Sequence, residues 1–390
     1  MKHILLFLIP LYLLSCEILD NDPEKHVAEE DSTSIALDEV AGLLSLLPLH
    51  TAQLTEVHDA VTSSSSNGYD EEYTMSNLFR NPGSGVGDET LTRTSRQYAL
   101  PLRDLIEEYV RSEYPTRSSG TRTDPDRFLK ALEESDVQIY WPFSENWDGE
   151  HMPIITYDPE NESSWNVGYK ISLDEDGSHH VEEVMVDEEM AKETPVWVVN
   201  RNSDSEYTSL ELLRREDPDW GTGGGSIIVK SPLRSLILKD FTMNRQYDSW
   251  FAGASEFFVK IGSIEDFTAV TEAELQLYNP MVTDFMIVVK RNQVGIPQPF
   301  NAVLVSDWTD QLTDCALMIT EDDGGTMTEW KCSAIVKINS KSYGFDLSIP
   351  FRTRDDIVWR GHLAGKWLES NSNIVGHFGD VDLTFEVLEY

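Results

Sequence analysis

Apolar positions recur at helical spacing in the first third of the chain and at strand spacing after it. Leu37, Val40, Leu44 and Leu47 mark one helix face, and Pro48 stops the run. Leu54, Val57 and Val61 continue as a second helical segment within residues 34–62. Residues 63–91 are rich in Ser, Asn and Gly and read as a loop. The clearest helix carries Leu102, Leu105, Ile106, Tyr109 and Val110 on one face, with Pro101 at its start and Pro115 beyond its end. Asp124-Pro125 opens another short helix, with Phe128, Leu129 and Leu132 facing one way.

After residue 136 the period shortens. The runs 137–141, 154–157, 167–172, 181–186 and 195–199 predict short strands divided by turn residues. Gly221–Gly225 is a candidate hinge. Strand signals resume at 227–229, 236–238, 257–261, 285–289, 302–305, 316–320, 333–338, 345–349 and 383–387, and no useful helical period follows residue 275. The pattern predicts a helical region at 34–135, a β-rich middle domain at 136–220 and a C-terminal β-sandwich at 227–390. The fold class is α+β, predominantly β: a short N-terminal helical segment, then an antiparallel β-rich region ending in a β-sandwich. No repeat of fixed period occurs.

The first residues carry a different signal. Met1-Lys2-His3 precedes an apolar run from Ile4 to Leu14, too short to cross a bilayer but suited to an export signal. Leu13-Leu14-Ser15-Cys16 resembles the lipobox of bacterial lipoproteins. The resemblance implies cleavage after residue 15, acylation of Cys16, and an acidic tether over 16–33. That tether resembles the surface-export signal of some Gram-negative lipoproteins. The whole arrangement resembles surface lipoproteins of Gram-negative bacteria, which implies a lipid-anchored outer-membrane location. The lipid would be the membrane contact.

The net charge of −39 changes the list of partners. Such a surface repels phosphate backbones and anionic membranes, so nucleic acid is excluded as a partner. A glycan or protein ligand stays open.

The chain has three cysteines. With Cys16 acylated, Cys315 and Cys332 remain, in a chain expected where disulfides persist. They face each other if Asp323-Gly324 makes the turn of a hairpin. Their site would be a non-hydrogen-bonded pair, with Cα atoms about 4.5 Å apart, within reach of a disulfide. Leu317, Ile319 and Trp330 would share their face.

No catalytic signature emerges. If His179-His180 lies on a strand, the two rings point to opposite faces and cannot both bind one metal without distortion. Ser172-Leu-Asp-Glu-Asp-Gly177 with Glu183 partly matches a calcium loop but is better explained as a hairpin turn. Gly83–Gly87 and Gly221–Gly225 lack the helix a phosphate loop needs. Asp355-Asp356 falls between strands, near the acidic turn Asp322-Asp323, and these four aspartates are the calcium candidates; no other cofactor is indicated. Among 69 acidic residues, a catalytic pair cannot be chosen from sequence. These features favour a non-catalytic binding or interaction protein of the cell envelope. A secreted hydrolase with carboxylate or metal chemistry, and a calcium-stabilised structural domain, stay open as alternatives.

Overall fold

The computed structural model describes residues 35–80, 100–112, 124–161, 163–173, 179–202, 207–209, 211–212 and 234–389. The export signal, Cys16, the tether, the expected strand 227–229 and the glycine runs at 83–87 and 221–225 lie outside these residues. Among the described residues, no helix is long and apolar enough to cross a membrane.

The N-terminal part is a mixed sheet with helices on one face. Helices α1 (Leu37–Ser45) and α2 (Thr51–Ser66) flank the break at Pro48. Strand β1 (Glu72–Thr74) and helix α3 (Met75–Phe79) follow, then α4 (Leu102–Ser112) and α5 (Pro125–Glu133). Strands β2 (Val137–Tyr140), β3 (Ile154–Tyr157), β4 (Trp165–Leu173) and β5 (His179–Asp187) lead into α6 (Glu188–Glu193) and β6 (Val196–Arg201). The sheet order is β1-β2-β6-β3-β4-β5. The pairing of β3 with β6 is parallel, so this sheet is not wholly antiparallel as the sequence predicts.

The apolar faces read from sequence meet in one core. Val40 and Leu44 of α1, Val57 of α2, Ile106 of α4 and Leu132 of α5 pack with Ile139, Trp197 and Val199 of the sheet. The helical stretch and the middle strands therefore share a single cluster. Glu56 is buried inside it, where its carboxylate accepts from the Leu102 amide at 2.7 Å and the Tyr73 hydroxyl at 3.2 Å. It holds the start of α4, whose first amides have no partner within the helix. Segment 72–79 is not part of a loop: Tyr73, Leu78 and Phe79 are buried, which a Ser-rich surrounding sequence hides.

The C-terminal part is the expected sandwich. One sheet joins β10 (Gln298–Trp308), β7 (Arg234–Met243), β16 (Val381–Glu389) and β15 (Val375–Phe378) in that order. The other runs β13 (Lys341–Arg352), β12 (Met327–Ile338), β11 (Leu312–Glu321), β8 (Ser255–Ser263) and β9 (Met281–Val289), with β14 (Asp356–Ala364) also on β11. Helix α7 (Gly365–Ser370) connects β14 to β15. Leu238 and Phe241 of one sheet face Phe257, Val259, Ile261 and Leu317 of the other in one apolar cluster. Strand β8 is buried along its whole length. Its Lys260 donates to the Pro350 carbonyl at 2.8 Å and lies 3.4 Å from Asp284.

The predicted Cys315–Cys332 disulfide is not formed; both thiols are free. Strands β11 and β12 pair at Leu312↔Val336 and Asp314↔Ile335, then part company. Cys315 faces Leu363 of β14, and Cys332 faces Leu347 of β13. The turn does not close on its own strands. The Arg354 amide donates to the Gly324 carbonyl and the Thr326 amide to the Thr353 hydroxyl, so loop 322–326 is tied to the β13–β14 connection. Strand β8 takes the edge of β11 that β12 leaves, pairing from Ala316 to Glu321, while β14 lines the opposite edge from Asp314 to Glu321. Burial raises the pKa of Cys315 to about 12 and that of Cys332 to about 11, which keeps both as unreactive thiols. Non-reducing digestion should return the two cysteines on separate, alkylatable peptides. A cross-linked peptide would contradict this register.

Candidate functional site

Loop 244–254, between β7 and β8, joins the sandwich to the N-terminal sheet. Trp250 and Phe251 are buried against Tyr140, Ile154, Val196 and Val198, on the sheet face opposite helices α1–α5, beside Ala191 of α6. The Trp250 indole donates to the Ser164 carbonyl at 3.0 Å. Asn200 Nδ2 donates to the carbonyls of Phe251 (3.0 Å) and Ala252 (2.6 Å). Asp70, fully buried, accepts from the Ala254 amide at 3.0 Å. Gly253 has φ +136, and a Cβ there would come within 2.7 Å of Asp70 Oδ2. Backbone of that kind is open to glycine almost alone.

Beside this loop lies a cavity of about 660 Å³. The N-terminal sheet contributes Asp136, Asp158, Glu160 and Arg201 to its lining. The sandwich contributes Asp248, Glu256, Asp322 and Asp323, together with Arg352 and Arg354. Among the described residues, seven carboxylates thus face three guanidinium groups, and no aromatic ring lines the cleft. Arg201 is already engaged by Asp136 at 2.7 Å and Glu160 at 2.8 Å. Arg352 stands 3.7 Å from Asp322 and over the Tyr207 ring. The uncompensated charge of the cleft is negative.

The aspartates expected at one end of the sandwich do gather there. Asp322 and Asp323 line the cleft. Asp322 Oδ1 accepts from the Gly324 amide at 3.1 Å and shapes the turn. Asp355 accepts from the Arg352 amide at 2.8 Å; burial, then the neighbouring Asp322 carboxylate, raises its pKa to about 6. Asp356 opens β14 opposite Glu321.

A different trio brings its oxygens together. One oxygen each from Asp248, Glu256 and Glu321 lies within 4.8 Å of the others. Glu321 ends β11 and Glu256 is near the start of β8; the Asp322 amide donates to the Glu256 carbonyl at 3.0 Å and aligns the two strand ends. Burial, followed by contact with Asp248, drives the Glu321 carboxyl far above the usual range, so it carries the proton of the pair. Burial also raises Asp248, to about 6. Across the junction, Glu71 is raised by burial to about 7, although Lys290 approaches its Oε1 at 3.2 Å.

The sequence did not single out this trio. The run Glu321-Asp322-Asp323 and the charged Glu256 and Lys260 inside the otherwise apolar 254–261 were the available signals. Asp248 had none, because its position depends on where Trp250 docks. His179 and His180 lie on strand β5, as predicted, away from the cleft lining. The Ser172–Glu183 segment is flanked by the antiparallel pair β4–β5, not by helices.

No family model, curated protein or solved structure matches the chain. The site is therefore read from its own chemistry.

A folded-state pKa above the unfolded value gives stability that is complete below the unfolded pKa and lost as pH rises through the folded one. For Asp248 and Glu71 that window runs from the ordinary carboxylate range up to about 6 and about 7. In chelator, the melting temperature should fall between pH 5 and pH 8. Asp248→Asn and Glu71→Gln should each flatten the slope, by on the order of 1–3 kcal/mol across the window. A profile equally steep in both variants would contradict the assignment. Gly253→Ala should destabilise the fold by roughly 1–3 kcal/mol, read as a lower urea midpoint; an unchanged midpoint would show that the loop does not need this backbone.

Proposed function

We propose that this chain is a lipid-anchored protein of the bacterial outer membrane and acts as a non-catalytic binding protein. Its ligand is a cationic segment of a protein or peptide, received in the cleft between the N-terminal sheet and the sandwich. The observation that carries this reading is the lining: among the described residues, seven carboxylates against three guanidinium groups in about 660 Å³. Carboxylates in a partly dry cleft attract ammonium and guanidinium groups more strongly than exposed ones do. A sugar would be expected to stack on an aromatic face, and among the described residues the lining offers none. The net charge of −39 supports the exclusion of nucleic acid. The anchor rests on the lipobox resemblance at Cys16.

Labelled Arg/Lys decapeptides should bind the purified chain, with affinity lost on combining Asp136→Asn, Asp158→Asn and Glu160→Gln. Neutralising exposed Glu133, Glu134 and Glu193 should leave it unchanged. Equal loss in both sets would mean diffuse attraction and would overturn the cleft as the site. For the anchor, labelled palmitate should enter the wild-type product and be absent after Cys16→Ala.

A second reading is favoured by one observation. Asp248 and Glu321 are a carboxyl pair with pKa values pushed apart, the pattern of an acid–base couple. Against it, Glu321 is 1% exposed and out of reach of a substrate. Turnover of a polysaccharide or peptide by the purified chain, abolished by Asp248→Asn, would establish a hydrolase instead.

A further inference from the structure

We infer that Asp248, Glu256 and Glu321 form a binding site for one calcium ion at the base of the cleft. This goes beyond the peptide-binding reading, since it concerns an ion held by the protein itself. Nor are these the aspartates to which the sequence points.

Three observations carry it. One carboxylate oxygen from each residue lies within 4.8 Å of the other two. Glu321 is 1% exposed, yet neither of its oxygens receives a hydrogen bond, and Asp248 Oδ2 is likewise buried without a donor. Carboxyl oxygens withdrawn from water are normally supplied with donors. A proton shared by Asp248 Oδ2 and one oxygen of Glu321 still leaves the other Glu321 oxygen buried without a partner. A cation between the three carboxyl groups serves all of them. Asp248 and Glu256 also line the cavity, so an ion has a route in from solvent.

The donor set selects the ion. It contains oxygen and neither histidine nor cysteine, which suits a hard cation. Calcium binds oxygen at about 2.3–2.6 Å, so ligands on opposite sides can stand up to about 5 Å apart. Magnesium, at about 2.0–2.1 Å, spans little more than about 4 Å. Oxygens within 4.8 Å of one another lie inside the span that calcium bridges. Calcium takes more ligands than three side chains supply, and the remaining positions open towards the cleft. The ion would join Asp248, on the loop that docks the N-terminal sheet, to strands β8 and β11 of the sandwich.

The test is calorimetric titration of chelator-stripped, purified full-length chain with calcium chloride alone, paired with thermal melting. We expect one ion per chain and a melting temperature that rises and saturates with calcium, with magnesium binding more weakly. Glu321→Gln keeps the shape and removes the charge. It should melt higher than wild type in chelator, yet bind calcium at least about ten-fold more weakly and lose the calcium-dependent rise. Asp248→Asn provides the same readout if Glu321→Gln does not fold. Absence of binding to the wild type up to about 10 mM calcium, beyond even weak extracellular sites, would overturn the inference. So would unchanged affinity in both variants. Because no peptide is present, this result is independent of whether the cleft takes a cationic ligand.

Discussion

The molecule depends on two aromatic side chains crossing from one layer to the next. Trp250 and Phe251 leave the sandwich on a loop and are buried on the N-terminal sheet beside Tyr140, Val196 and Val198. Burying side chains of this size contributes roughly 1.5–3 kcal/mol each, more than any exposed ion pair in the region could supply. The polar contacts around them fix orientation. Asn200 holds the carbonyls of Phe251 and Ala252, and Asp70 holds the Ala254 amide. Gly253 lets the chain pass over Asp70, where a side chain would collide.

That docking has an electrostatic consequence. Around it Asp70, Glu71, Glu256 and Glu321 are buried and Asp248 is half-buried, in a chain that carries far more acid than base. Desolvation is the leading cause of the raised pKa at Asp70, Glu71, Asp248 and Glu321. The same closure that stabilises the apolar contact therefore concentrates negative charge. The negative cleft and the convergent carboxyl trio are two expressions of one geometry. A cation, whether an ion or a basic side chain, relieves it.

Much of the architecture was legible in the sequence because apolar periodicity reports burial directly. Leu37–Leu47 and Leu102–Val110 became helices packed on a sheet, and residues 154–157 became a strand as written. Periodicity could not reveal how strands choose partners. The apparent symmetry of 315–332 about Asp323-Gly324 gave a plausible register, but β8 takes that edge of β11 from Ala316 onward. Strands β1 and β15 escaped because each is short, and β14 because most of its positions are not buried. The site was half legible. The aspartates at 322, 323 and 355 do cluster, since turns at one end of a sandwich are neighbours. Asp248 and Glu256 join the site through tertiary docking, which leaves no local mark.

Calorimetric unfolding of Trp250→Ala is the most direct measurement of this account. The wild type should melt in one cooperative transition. The variant should separate into two, the N-terminal sheet and the sandwich unfolding independently. A single transition at the wild-type temperature in Trp250→Ala would contradict the view that this loop holds the layers together and assembles the site between them.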